Sequence, residues 1–361
     1  MESLRMARAG AIDKSPSSQV SVAPEVTVVV VTYESGPTLA ECLAALKTQS
    51  FTGFEVLLVD NASTDGAARA AAKADPAIRL IENPSNLGFA AAVNQGARAG
   101  RGRWLALLNP DAFAEPDWLA RLLAAAQANP GVRAYASRQL LADDSGLLDG
   151  LGDVMASAGF PFRGGYLRKD PGVLGVGEVF SACGGAMLVD RALFLEMGGF
   201  DERLFCYCED VDFGYRLRLR GEPTLVVPDA VVRHVGSASS GGPRSDFAVF
   251  HGTRNRLWVF IKDTPPALFW LTLPLHVAAT ALLFARHATR RELSAPWRGL
   301  KAGVAGLSGA LAARRETQAQ RRVGSWAIAR AMTWNPLDLF LRRVVIRPLP
   351  EAPKPSRPAG S

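Results

Sequence analysis

Residues 26–32 read Val-Thr-Val-Val-Val-Val-Thr. A continuous β-branched run without polar alternation suits a strand buried on both faces of a parallel sheet. Outward from this run, strand and helix alternate. Thr38–Gln49 carries Leu39, Leu43 and Leu46 on one helical face. Phe54–Val59 reads as a second buried strand ending at Asp60, and turn chemistry over Asn61–Gly66 leads into an Ala-rich helix. Ile78–Glu82 is a third strand, a helix is expected from Phe89 to Ala99, and Trp104–Leu108 is a fourth strand. The alternation predicts an α/β fold with a mostly parallel sheet. Polar residues gather where these strands end: Thr32-Tyr33-Glu34, Asp60-Asn61 and Asn109-Pro110-Asp111. Open α/β sheets bind ligands beyond the carboxyl ends of their strands, so the three clusters predict one site. No G-x-x-x-x-G-K-[ST] occurs, and no G-x-G-x-x-G follows the first strand, which disfavours a P-loop ATPase and a dinucleotide-dependent dehydrogenase. A nucleotide on this sheet would be held by side chains.

The 361 residues allow two or three domains. A hydrophobic share of 48% and a charged share of 21% sit near the soluble average, which excludes wholesale disorder, collagen and a polytopic membrane protein. The net charge of +7 is uneven: Arg286–Arg347 holds thirteen Lys/Arg against Glu292, Glu316 and Asp338, so the remainder is slightly acidic. That split argues against nucleic acid as partner and favours a basic region facing anionic lipid; a solvated tail or an RNA-binding arm is the plainer alternative. Just before it, Ala267–Ala285 is nineteen residues without a charge, with Pro274 and His276 near its middle and Arg286, Arg290 and Arg291 after it. Its length is close to the ~20 residues a bilayer core needs, and spanning and surface-lying arrangements both stay open. Leu300, Val304, Leu307 and Leu311 recur at helical spacing among Arg298, Lys301, Arg314 and Arg315, as in a lipid-facing amphipathic helix or one packed on the protein's own core. Met1–Pro24 lacks the apolar core of a signal peptide, and Pro348–Ser361 holds five prolines, so both ends are expected to be disordered. The four cysteines form no C-x-x-C, and Cys206-x-Cys208 has the wrong spacing for a zinc ribbon; reduced cytosolic thiols are expected. The expected division is 25–262 for a catalytic domain and 263–347 for a helical, basic, membrane-associated region, between disordered segments 1–24 and 348–361.

Several stretches carry a further resemblance: Val28-Val-Val-Val-Thr-Tyr33, Leu58-Val-Asp-Asn-Ala-Ser-Thr-Asp-Gly66, Asn86-Leu-Gly-Phe-Ala-Ala-Ala-Val-Asn94 and Leu107-Leu-Asn-Pro-Asp111. Gly184-Gly-Ala-Met187, Gly198-Gly-Phe-Asp-Glu202 and Glu209-Asp-Val-Asp-Phe213 follow in order. Together, over about residues 25–260, they resemble glycosyltransferase family 2, and most nearly its bacterial rhamnosyltransferases that build cell-wall or surface polysaccharide on a lipid carrier. The resemblance implies a GT-A fold with a Rossmann-like sheet and a nucleotide-sugar donor. It also implies Mg2+ or Mn2+ and a polyprenyl-diphosphate-linked saccharide as acceptor.

The same resemblance distributes roles. Asp111 occupies the place of the family's D-x-D motif, whose carboxylate holds the metal against two phosphates; Asn109 stands where the first acid is usual, and is assigned to the donor. His234, 24 residues beyond Asp210, is the candidate second ligand. Asp210 is the expected base, with Glu209 orienting the acceptor. Two carboxylates opening a helix sit at its positive end, which keeps Asp210 ionised. Thr32, Glu34, Asp60 and Asn86 are candidates for the donor, with Asn94 nearby, and Asp60 resembles the residue that reads the pyrimidine N3–H. Arg254, in an Arg-Asn pair, is a candidate for a diphosphate. Gly184, Gly185 and Asp201 are candidates for sugar or acceptor, and Ser239–Pro243 for a closing loop. Plainer alternatives are a turn-capping Asp111, a strand-end His234, a helix-capping Glu209–Asp210, a tight turn at Gly184-Gly185 and a capping Asn86. Asp212 and Arg216 stand four apart and are expected to pair structurally.

The expected function is an inverting transfer from a dTDP- or UDP-sugar, with rhamnose as the expected sugar, at the cytoplasmic face of the cell membrane. Assembly as a homodimer stays open. A polyprenyl-phosphate glycosyltransferase and a catalytically silent sugar-nucleotide scaffold are the competing readings.

Overall fold

In the computed structural model, which describes residues 23–236, 242 and 245–349, the valine run Val26–Thr32 forms β1 and is buried throughout. It is followed by Gly36–Lys47 (α1), Phe54–Asp60 (β2), Ala67–Ala74 (α2), Ile78–Glu82 (β3), Phe89–Ala99 (α3), Trp104–Leu108 (β4), Ala112–Ala114 (β5), Trp118–Ala128 (α4) and Ala134–Leu141 (β6). Then come Leu148–Leu151 (β7), Asp153–Ala156 (β8), Phe160–Arg163 (β9), Gly177–Val179 (β10), Ala186–Asp190 (β11), Arg191–Glu196 (α5), Glu209–Leu219 (α6) and Thr224–His234 (β12). The rest is helical: Asp246–Asp263 (α7), Pro266–Thr289 (α8), Ser294–Ala305 (α9), Leu307–Ala319 (α10), Ser325–Ala331 (α11) and Pro336–Leu341 (α12). The helix expected over Thr38–Gln49 starts two residues early because Pro37 fits its first turn.

The main sheet runs β10-β12-β6-β11-β4-β1-β2-β3, with β5 on β12 and β7 on β6. Strands β4, β1, β2 and β3 are parallel. Beyond β4 the sheet is mixed, since β11 runs antiparallel to both β4 and β6. Alternation along β1 feeds two cores. Val28 and Val30 meet Leu39, Leu43, Trp118 and Leu122 on one face, while Val29 and Val31 join a cluster with Val93, Ala97, Phe194 and Phe213 on the other. A third core joins Phe180, Tyr215 and Val259 to Ile328 and Met332, tying the C-terminal helices to the body.

The apolar segment expected over 267–285 is part of the 24-residue α8, which continues through Pro274. Among the described residues it is the one helix long and apolar enough to cross a membrane. One stripe faces inward: Leu268, Thr272 and His276 are buried, and His276 stacks on Phe260 with ring centroids 4.0 Å apart. The amphipathic pattern from Leu300 to Leu311 is split at Gly306 into α9 and α10. Its large residues Val304, Leu307 and Leu311 are exposed, while glycines make the protein-facing contact. A Cβ at Gly299 would lie 2.5 Å from the Phe250 carbonyl oxygen, and one at Gly306 2.3 Å from the Trp258 ring.

Alanine is ordinarily better than glycine inside a helix by roughly 0.5–1 kcal/mol. Gly299→Ala is nevertheless expected to destabilise the protein, by roughly 1–3 kcal/mol, because the new methyl meets backbone that has no side-chain freedom to yield. Urea unfolding of the two proteins checks the sign.

Candidate active site

A cavity of about 730 Å3 opens beyond Val31 of β1 and the end of β4. Three features of strand pairing assemble its wall. Because β11 is antiparallel to β4, with Ala186 opposite Leu108, the residues just before β11 lie beside those just after β4. Gly184 and Gly185 therefore meet Asn109, whose N–H donates to the Gly185 carbonyl at 2.9 Å. A Cβ at Gly185 would come within 3.2 Å of Asn109 Nδ2, so a side chain would crowd the wall. Next, β5 pairs with the end of β12, His234 opposite Ala112, which carries His234 to Asp111 across more than a hundred residues of chain. Finally, α6 opens at Glu209, so Glu209 and Asp210 occupy its first turn at the positive end of the helix. Asp210 Oδ2 accepts from Gly184 N–H at 2.8 Å, and Oδ1 from Val211 N–H at 2.7 Å.

The charges are arranged in pairs. Asp111 Oδ1 lies 3.1 Å from His234 Nε2, and His234 Nδ1 lies 2.8 Å from Asp149 Oδ2, the oxygen that Arg163 also pairs with. Burial works to lower the His234 pKa, but the hydrogen bonds and charges of Asp111 and Asp149 outweigh it and raise it to about 9. Glu209 behaves oppositely. Burial first, then the negative charge of Asp210, push it well above the usual carboxylate range. Its Oε2 has no hydrogen-bond partner among the described residues. A carboxyl biased toward its neutral form is suited to donate, so of the pair Asp210 is the candidate base. Asp153 of β8 also faces the cavity. Burial and then Asp210 raise it to about 8, against Arg163 and a 3.1 Å hydrogen bond from Ser181.

The model of the family described as glycosyl transferase family 2 matches residues 27–194. The N-acetylglucosaminyl-diphospho-decaprenol L-rhamnosyltransferase of Mycobacterium tuberculosis (strain ATCC 25618 / H37Rv) is 34% identical over 302 residues, spanning 73% of this chain and 94% of its own. The chain belongs to glycosyltransferase family 2. It is thus an enzyme of glycosyl transfer, with the GT-A fold that its motifs imply. Solved structures share that fold. A mannosyltransferase from Pyrobaculum calidifontis, in complex with GDP-Man and Mn2+, aligns with a TM-score of 0.50 at 21% identity over 86% of this chain and 87% of its own. GalNAc-T7 with UDP, GalNAc and Mn2+ aligns with a TM-score of 0.52 at 17% identity over 66% of this chain and 48% of its own.

Of the residues singled out in this family 2 chain, Asn86, Asn109, Asp111, Gly184, Gly185, Glu209, Asp210 and His234 line the one cavity. Thr32, Glu34 and Asp60 are not among its lining residues; their neighbours Tyr33 and Asn61 are. The three stitch the surrounding loops together. Thr32 donates to Ser35 Oγ at 2.8 Å, Glu34 Oε1 accepts from Thr64 N–H at 2.8 Å, and Asp60 Oδ1 accepts from Ser63 N–H at 3.2 Å. Asn86 lines the wall and also caps a turn, accepting from Gly88 N–H at 2.9 Å.

Three expectations are corrected. Asp201 lies at a different cavity, ion-paired to Arg203 and Lys262, each at 2.7 Å. Asn94 clasps the backbone of Phe200 from within α3. Arg254 donates to the carbonyls of Leu204 and Arg203, at 2.9 and 3.3 Å, and is not among the residues lining the cavity. In each case a buried backbone or charged group claimed a polar side chain that looked free in the sequence. Asp212 and Arg216 do pair, at 2.8 Å. The Ser239–Pro243 loop falls outside the described residues except for Gly242. Asp149, Asp153 and Arg163 went unnoticed in the sequence; Arg163 is opposite Asp153 in the β8–β9 hairpin, and no motif announces that pairing.

Asp153→Asn tests the crowding of carboxyls. Because the folded pKa of Asp153 is raised, its ionisation works against folding increasingly from about pH 4 up to about 8. The asparagine variant is expected to be more stable than wild type by roughly 1–3 kcal/mol at pH 8, with the advantage vanishing below pH 4. Chemical unfolding across that range measures it.

Proposed function

We propose that this family 2 enzyme transfers rhamnose, with inversion, from a dTDP- or UDP-sugar to a hydroxyl of a polyprenyl-diphosphate-linked saccharide at the cytoplasmic face of the cell membrane. One observation carries the mechanism: Asp210 and the Asp111–His234 pair face a single cavity. The mycobacterial relative, named for rhamnosyl transfer to N-acetylglucosaminyl-diphospho-decaprenol, supports the choice of sugar and acceptor.

Asp210 takes the proton of the acceptor hydroxyl as that oxygen bonds to the anomeric carbon. The bond from that carbon to the phosphate oxygen breaks, and the nucleoside diphosphate leaves with the electron pair. With one base and no enzymatic nucleophile, a single in-line displacement inverts the anomeric centre. Glu209, biased toward its neutral form, is placed to donate to a substrate oxygen. Asp111 would hold Mg2+ or Mn2+ through its carboxylate, and His234 would join it only on giving up the Nε2 proton that it shares with Asp111, with diphosphate oxygens as further ligands. A cation held there would supply positive charge to balance the departing diphosphate. Asn109, in place of a second acid, supplies Nδ2 3.3 Å from His234 Nε2.

Residues 25–262 form the catalytic region of the proposal and 263–347 the region that seats it on lipid. Trp270, Leu271, Leu275, Val277 and Leu282 of α8 are exposed, Trp270 at 71%. The opposite stripe is packed against the body, so α8 lies along the membrane interface instead of crossing it. Trp297, Trp326 and Trp334 are exposed as well, a residue type that favours the headgroup level. The basic excess between Arg286 and Arg347 supplies charge complementary to anionic headgroups.

Release of nucleoside diphosphate from a panel of sugar nucleotides, with Mg2+ or Mn2+ and a synthetic lipid-linked N-acetylglucosamine acceptor, tests the chemistry. Asp210→Asn is expected to lower turnover by about 100- to 10,000-fold while donor binding by calorimetry persists. Undiminished turnover would show that the base has been misassigned. For the membrane, Leu271→Asp combined with Leu275→Asp is expected to weaken sedimentation of the full chain with phosphatidylglycerol-containing vesicles by about tenfold or more. Unchanged sedimentation would remove α8 from the interface.

A further inference from the structure

We propose that Asn255, with Arg254 beside it, is a positioning residue: from α7 it holds the left-handed segment before α6 in the shape that delivers Asp210 to the cavity. The role rests on the proposed action of Asp210 as base. Phe205, Tyr207 and Cys208 have φ values of 66°, 69° and 68°, a region that side chains with a Cβ rarely occupy. Backbone held that way turns its carbonyls inward, where each needs a donor. Asn255 is fully buried, and its Nδ2 lies 2.8, 2.9 and 2.7 Å from the carbonyl oxygens of Leu204, Cys206 and Tyr207. Its Oδ1 accepts from Arg254 Nε at 2.8 Å, while Arg254 Nη2 reaches the Leu204 carbonyl at 2.9 Å. Both ends of the amide are therefore engaged.

The segment is gripped from the other side too. Ala90 N–H donates to the Phe205 carbonyl at 3.1 Å, and Gly88, at φ +86°, leaves no space for a Cβ against the Phe205 ring. Cys208 is the residue from which α6 springs, so the direction of its chain sets where Asp210 points. Neither Asn255 nor Arg254 is among the residues that line the cavity. Their effect on turnover must pass through the segment they hold.

The test uses the full-length protein, the donor and acceptor that give turnover, and UDP and dTDP as binding probes. Asn255→Ala and Asn255→Asp remove the paired donor, and a displacement of the base by about 1 Å is expected to lower kcat about 100-fold. The donor KM and the affinity for the nucleoside diphosphate should stay within about threefold, the split that separates a misplaced base from a damaged fold. Arg254→Lys is the milder variant should the Asn255 variants fail to fold, with an expected kcat loss of about tenfold and the same split. A kcat within about threefold of wild type, or an equal loss of kcat and nucleotide affinity, overturns the positioning role. Asp210→Asn measured alongside separates the two failures. Persistent turnover there removes the base assignment and this role with it, whereas collapse there with near-normal Asn255 variants removes this role alone.

Discussion

Negative charge is the constraint around which the site is built. Asp111, Asp149, Asp153, Glu209 and Asp210 stand in or just behind one cavity wall, and the proposed donor brings a diphosphate. Five ionised carboxylates could not share that volume with such a ligand. The protein distributes the charge instead. Asp149 pairs with both Arg163 and a protonated His234, and Asp111 meets the same imidazole from the other side. Glu209 and Asp153 are held toward their neutral forms by burial and by Asp210 itself. Asp210 accepts from two backbone N–H groups. Glu209 and Asp153 are set apart from their neighbours by what surrounds them, in the way that neighbouring carboxyls acquire different roles in acid–base sites.

The first half of the fold was legible because burial on both faces leaves a direct mark on composition. The valine run, the leucine face of α1 and the alanines of α3 each announce their element, and their polar ends announce the site. The second half was opaque for a physical reason. Strand β11 slots between β4 and β6, and β5 finds β12, through pairings between residues far apart in the chain. Such pairings leave no periodic trace. The family motifs supplied Asp111, Asp210 and His234 where periodicity could not. Asp149, Asp153 and Arg163 had neither kind of signal. Asp201, Asn94 and Arg254 show the opposite error: polar residues inside recognised motifs serve the scaffold, satisfying buried backbone or buried charge.

The C-terminal helices follow an inverted pattern, with the outward apolar stripe that the periodicity from Leu300 to Leu311 suggested. On α9 and at its junction with α10, the glycines face the body and the large apolar residues face out. Close approach of α9 to α7 needs the glycines, and Val304, Leu307 and Leu311 are thereby left exposed. A lengthwise seat for α8 on the body is consistent with the same economy, since its buried stripe reaches Phe260 and the floor beneath β8 and β9.

The bend at Phe205, Tyr207 and Cys208 could have been made at lower conformational cost from glycines. Phe205, Tyr207 and Cys208 all border the cavity, however, and glycine would erase those surfaces. The chain therefore keeps aromatic rings on a backbone path that resists them. Substitution at these positions is squeezed from two directions: a smaller residue opens the enclosure to water, and a branched one cannot follow the path at all.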